Sequence, residues 1–255
     1  MKPRIKLATS RTPDGGVMEL FKHDQDFLIE INGQELMNSR RHESEAELAR
    51  LGCAHLSHRK TPRVLVGGLG LGYTLRQVLD LLGPGAEVLV SELMPAVVEW
   101  NRIWLGELTA QPLEDRRTTL ISGDIFPLLK QSRDRFDGIL LDVDNGPRAI
   151  TDSSNNRLYG PDGILACRTA LRRKGVLSVW SAEPSKDFEQ LLMTCGFKVR
   201  RYRANSYPGS SKKALYIFVA ALDGTNLPAG GGDAYQPGQR RPSHPVQPPN
   251  KGVPE

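Results

Sequence analysis

"RVLVGGLGLGYTLRQVLDLLGPGAEVLVSEL" spans residues 63–93. An apolar, β-branched run breaks into four glycines between residues 67 and 72, resumes with helical periodicity, and returns to a second apolar run that closes on Glu92. The pattern predicts a strand over 63–67, a helix over 73–82 and a strand over 87–91. Gly68, Gly70 and Gly72 let the backbone turn sharply and approach a ligand, and the helix that follows starts with unpaired N–H groups. Glycines at this spacing occur in many folds and can serve close packing alone. Glu92 adds weight, because an acid about 20 residues past such a loop can accept hydrogen bonds from both ribose hydroxyls.

The alternation continues outward. Further strands are expected at 118–121, 137–141, 175–180, 197–202 and 214–220, with helices at 95–104, 160–173 and 185–195. Short apolar strands alternating with helices imply an α/β fold, a doubly wound, Rossmann-like sheet of seven strands of the kind adenosylmethionine-dependent enzymes use. Ligands are expected beyond the strand C-termini. Asp124, in "ISGDIF", and Asp142, in "ILLDVDNGP", stand just past the third and fourth strands. Acids at three strand ends along one sheet edge favour a ligand site. Asp142 capping its own turn is the plain alternative. Acids in the space a dinucleotide's pyrophosphate would need favour an adenosine bearing a cationic sulfonium.

Residues 1–60 read differently. "GGVMELFKHDQDFLIEINGQEL" alternates apolar and polar residues around two turns, as in a small antiparallel β segment. "SEAELARLGCAHL" then reads as a connecting helix with Ser44 as N-cap and Glu47 at the capping-box position. Residues 61–222 form the nucleoside-binding domain. From 223 to 255 the chain is rich in Pro and Gly and short of large apolar residues, which predicts a disordered tail. Hydrophobic residues make up 39% of the chain and charged residues 25%, enough for a substantial core. No apolar run approaches the length of a membrane span and the N-terminus lacks a signal-peptide core, so a cytoplasmic protein with no membrane association is expected. Cys53, Cys167 and Cys195 have neither disulfide nor zinc spacing and read as small core residues. The net charge of +5 is scattered; "RRYR" at 200–203 and "SKK" at 211–213 read as a solvated strand edge, not a nucleic-acid surface.

With these residues in place, the chain resembles the spermidine synthase (polyamine aminopropyltransferase) family over residues 15–220, and is most similar to its divergent bacterial members. The resemblance rests on "VLVGGLGLGYTLRQVLD", "SELMPAVVEWNR", "PLEDRRTTLISGDIF" and "FDGILLDVDNGP". It implies that Glu92 binds the donor's ribose, that Asp124 lies near the adenine amino group, and that Asp142 is the base that readies an acceptor amine. The implied co-substrate is decarboxylated S-adenosylmethionine or S-adenosylmethionine, the partner a small amine or polyamine, and no metal is required; a homodimer is an assembly the resemblance allows. Departures from the family pattern accompany it. Leu71 stands where the family carries an Asp that grips the donor's amino group, and Asp144 is displaced by one from the second acid of the catalytic loop. Leu36, His42 and Glu45 replace the N-terminal Gln, acidic and Tyr positions. His42 is a substrate contact or a polar residue at a helix entry; Tyr159 lines an acceptor channel or packs beneath it; Trp180 covers the pocket or closes the core. An aminopropyl transferase is the first reading. A methyltransferase, or a nucleoside-binding protein without activity, is the alternative on the same fold.

Overall fold

The computed structural model describes residues 3–143, 146–147, 155–205 and 215–233. Four strands, β1 (Ile5–Arg11), β2 (Val17–His23), β3 (Asp26–Ile31) and β4 (Gln34–Asn38), form an antiparallel meander. Its β3–β4 turn is the two-residue Asn32–Gly33 loop, both residues at positive φ (50° and 77°), the conformation a tight hairpin demands. Helix α1 (Glu43–Cys53) leads from this meander into the main domain. The expected capping box does not form. His42 is the N-cap and makes no side-chain cap, while the Ser44 hydroxyl turns to donate to Glu45. Ser44 is buried, one residue inside the helix, so its side chain cannot reach back to the free N–H groups.

The main sheet is built from β5 (Arg63–Gly67), β6 (Glu87–Glu92), β7 (Thr118–Ser122), β8 (Phe136–Leu141), β9 (Leu171–Ser181), β10 (Lys198–Ala204), β11 (Leu215–Ala221) and β12 (Gly232–Asp233), in spatial order β12-β10-β11-β9-β8-β5-β6-β7. β11 runs antiparallel between β9 and β10, while β5 through β9 are parallel where they pair. The seven expected strands are thus present in the order of the class I methyltransferase type, with a two-residue eighth strand at one edge. Every residue of β8 is buried, as a parallel strand covered on both faces requires. Helices α2 (Tyr73–Leu81), α3 (Pro95–Trp100), α4 (Ile125–Gln131), α5 (Asn155–Tyr159), α6 (Pro161–Ala170) and α7 (Lys186–Thr194) supply the flanking layers. Two cores of buried side chains result, one shared by the meander, α1 and α2 and the other between the sheet and α4, α6 and α7. All three cysteines are buried and free, as small core residues.

Two features decide where a ligand can bind. The chain leaves β5 toward β6 and β7 on one side and returns to β8 and β9 on the other, so the C-terminal ends of β5 and β8 flank a topological switch point. Helix α1 also runs against the strand direction. Past its C-terminus, the His55 ring meets the Asp137 carbonyl at the start of β8 (2.8 Å). Its first turn therefore lies over the strand C-termini. Close approach is possible because Gly52 faces Leu140 and Ser178, where a Cβ would stand 3.0–3.1 Å from their side chains.

The structure differs from the sequence reading at three further places. β9 starts at Leu171, inside the expected helix 160–173, and Arg172 on this early stretch reaches the buried Asp137 (2.6 Å). The helix expected over 95–104 ends as α-helix at Trp100 and widens into a π-turn at Asn101–Leu105. Residues 223–233, placed in the disordered tail, pack instead. The Pro228 carbonyl accepts from Arg200 (2.8 Å) and from the Tyr202 hydroxyl (2.6 Å), and Gly232–Asp233 pair with β10. These contacts replace water at the edge that "RRYR" was expected to expose, and Arg201 pairs with the buried Glu189. "SKK" and the chain beyond 233 lie outside the described residues. Deleting 223–255 is accordingly expected to lower the melting temperature. Two lost hydrogen bonds and a stripped strand edge at about 1 kcal/mol each, with about 2–4 °C per kcal/mol in a chain of this size, give a drop of roughly 6–12 °C by calorimetry.

Candidate active site

The loop after β5 is held by its neighbours before any ligand is considered. The Glu92 carboxylate, 7% exposed, accepts from the Leu69 N–H through one oxygen and from the Met94 N–H through the other, both at 2.8 Å. From the opposite side the Asn101 amide, set by the π-turn, donates to the Gly70 carbonyl (2.8 Å). Gly68 adopts φ +89°, and a Cβ there would lie 2.2 Å from the Asp142 carbonyl oxygen. The close approach that demands glycine is thus to the neighbouring strand end. Gly70 lines the cavity described below, and Gly72 begins α2. Glu92→Ala leaves two backbone N–H groups without their acceptor. At about 1–3 kcal/mol per orphaned group, nucleoside affinity is expected to fall at least tenfold with a lower melting temperature, while Glu92→Gln, which keeps one acceptor, loses less. Calorimetric titration with methylthioadenosine checks this.

The acids occupy consecutive strand ends. Along the C-terminal edge run Asp124 after β7, Glu92 at the end of β6, the glycine loop after β5 and Asp142 after β8. Strand spacing makes this row roughly 14 Å long. Asp124 is the N-cap of α4, accepting from the Phe126 N–H (2.8 Å), and pairs with Arg157 (2.8 Å), whose guanidinium lies over the Phe126 ring. Asp142 accepts a 2.6 Å hydrogen bond from the Thr74 hydroxyl at the start of α2. Asp144 lies outside the described residues.

Asp142 opens onto a cavity of about 80 Å³ walled by Leu36, Met37, Leu69, Leu71 and Trp180. Glu45 from the first turn of α1 and Tyr73 line the same cavity. Burial pushes the Asp142 carboxyl up to about 6, opposed by the Thr74 hydrogen bond and reinforced by the Glu92 charge. Burial pushes Glu45 further, to about 8, with the Asp142 charge adding to it. Both values lie above those of the unfolded chain. Ionisation therefore costs the fold nothing below about pH 4, and the cost grows as the pH rises through about 6 to about 8. Glu45→Gln is expected to raise the melting temperature of the free protein by several degrees at pH 8.5 and to change it little at pH 4.5, which a calorimetric pH series checks.

Two residues read from the sequence take supporting positions. The His42 ring stacks on Tyr73 at 4.2 Å, and both donate to the Ser39 carbonyl, so His42 stands behind the cavity wall. Tyr159 is buried edge-on against Phe188, and its hydroxyl donates to the Val143 carbonyl (2.9 Å); it packs under the loop after β8 and does not line the cavity. Trp180 does line it, and its indole N–H is buried with no partner among the described residues. Thr74 and Asn101 had no sequence signal beyond helical position. Glu45 had only its departure from the family pattern.

Comparison with known proteins bears on the fold and the family. Residues 48–196 match the spermine/spermidine synthase domain. A polyamine aminopropyltransferase of Saccharolobus islandicus is 29% identical over 170 residues, covering 66% of this chain and 53% of that protein. One from Nitrosomonas europaea is 34% identical over 132 residues, 51% of this chain and 38% of its own. The chain spans about half the length of the curated relatives it matches. The spermidine synthase from Thermotoga maritima superposes with a TM-score of 0.70 at 18% identity, covering 88% of this chain and 75% of that one. A spermidine synthase solved with the transition-state analogue AdoDATO gives 0.67 at 19%, again over 88% and 75%. The match over more than half its length places the chain in the spermine/spermidine synthase domain family.

Proposed function

We propose that this protein transfers an aminopropyl group from decarboxylated S-adenosylmethionine to an amine. The observation that carries the reading is the order of groups along the sheet edge: Asp124, Glu92, the glycine loop and then Asp142 in a small acidic cavity at the switch point. Asp124 suits the adenine end, provided Arg157 yields, and Glu92 the ribose. The acids at the end of the row repel a donor that carries a carboxylate, so the decarboxylated donor is favoured over adenosylmethionine itself.

The donor supplies an electrophilic carbon and a good leaving group. What remains for the chain is to position the amine and remove its proton. An alkyl amine is almost wholly protonated at neutral pH, and Asp142 can hold that cation and accept its proton as the nitrogen attacks. A carboxyl whose folded value is about 6 is ionised at neutral pH yet basic enough for this role. The walls formed by Leu36, Leu69, Leu71 and Trp180 lower the local polarity around the reacting groups.

The test is a product assay with each donor and 1,4-diaminobutane. Formation of methylthioadenosine with an aminopropylated amine supports the reading. A methylated product with adenosylhomocysteine replaces it with the methyltransferase. Turnover of neither donor, together with no thermal stabilisation by either nucleoside, overturns both.

A further inference from the structure

We infer that Glu45 and Asp142 act together as a clamp for the primary ammonium end of an alkyl amine, with Glu45 the residue that determines specificity. The inference deepens the proposed function and rests on it. Glu45 lies outside the span that matches the family, and it reaches the site only because α1 runs against the strands and sets its first turn over the end of β8.

The two carboxylates line one cavity, and each has few other partners. Glu45 accepts from the Ser44 hydroxyl and Asp142 from the Thr74 hydroxyl. Neither faces an arginine or lysine among the residues that line the cavity. Two carboxylates on one cavity oppose each other's ionisation in apolar surroundings, so without a bound cation the pair retains a proton. Among the described residues, the charged groups that act on the pair oppose full ionisation: Glu92 acts on Asp142, and Glu43, on the same helix, acts on Glu45. The Tyr73 phenol, from α2, is itself held protonated by burial and by the Glu45 charge.

An incoming ammonium removes the need for that proton. It brings one positive charge and three N–H donors to a site lined by two carboxylates. The pair then ionises fully and releases its proton to solvent. A cavity of about 80 Å³ has room for an ammonium and the first carbons of a chain. The walls formed by Leu36, Leu71 and Trp180 suit methylenes.

The experiment titrates 1,4-diaminobutane into the wild type, Glu45→Gln and Glu45→Asp at pH 7, with and without saturating methylthioadenosine. Each calorimetric titration is run in phosphate and in Tris, whose ionisation heats differ. Wild type is expected to show a buffer-dependent heat corresponding to proton release. Glu45→Gln should bind at least tenfold more weakly and lose the buffer dependence, and Glu45→Asp should recover part of both. Melting curves verify that each variant is folded. Binding by Glu45→Gln within twofold of wild type, or wild-type binding with no buffer dependence, overturns the clamp while leaving the transferase reading intact. No binding of the amine to the wild type under either condition, together with no turnover, overturns both.

Discussion

Asp142→Asn is expected to lower kcat/KM for the amine at least a hundredfold while leaving nucleoside affinity within a few fold. Asparagine keeps the size of the side chain, and its carbonyl can still accept from the Thr74 hydroxyl that now binds the carboxylate at 2.6 Å. It cannot take a proton, and its NH₂ group would point donors at an ammonium that already carries three. General-base contributions of about 10²–10⁴ set the scale of the loss. The fold is not the casualty, because burial disfavours the ionised carboxylate and a neutral amide escapes that cost above about pH 6. The pH profile adds a second readout. In the wild type the rate should rise as the acid pair ionises, between about 6 and about 8, and the limb belongs to the pair and not to either member. The variant should lose this limb. Turnover within tenfold of wild type would move the base elsewhere, with Asp144, two residues on, the next to substitute.

What could be read from the sequence, and what could not, divides along the line between local and assembled information. The strand over 63–67, the glycines after it and the acid closing 87–92 are local patterns, because a parallel strand buried on both faces is a short apolar run wherever it sits. Asp124 and Asp142 follow from knowing only that they end such runs. Glu45 could not be found this way. Its position depends on the direction in which α1 crosses the sheet, set by Gly52 against β8 and β9 and by His55 at the far end. Thr74 and Asn101 are equally silent, being polar residues on helices whose partners at the site, Asp142 and Gly70, lie 68 and 31 residues away. Ser44 shows the opposite failure. A capping signature was present, but burial of the serine decided the helix start. The segment 223–233 misled through composition alone: it lacks core side chains and packs through backbone carbonyls, which composition does not record.

The far end of β8 carries a large expected effect on stability. Asp137 is 2% exposed and receives Arg59 on one oxygen (2.9 Å) and Arg172 on the other (2.6 Å), while the second oxygen also accepts from the Arg63 backbone N–H (2.9 Å). This cluster ties the chain entering β5, the start of β8 and the start of β9 together, at the edge opposite the cavity. Asp137→Ala leaves two guanidinium groups and one backbone N–H without their acceptor. Breaking a buried pair costs about 3–5 kcal/mol. Both arginine side chains keep a third or more of their exposure, so water can recover part of their charge and the lower end is expected, about 3 kcal/mol. At about 2–4 °C per kcal/mol that lowers the melting temperature by roughly 6–12 °C. Asp137→Asn, which keeps an acceptor for the Arg63 N–H, should lose less. The site itself should be indifferent, since five residues of strand at about 3.3 Å each place Asp137 roughly 16 Å from Asp142. Turnover per folded molecule at 25 °C should therefore match wild type. A change in melting temperature below 2 °C would mean that the arginines find other partners, and a fall in turnover without unfolding would mean that β8 passes the disturbance along its length to the catalytic end.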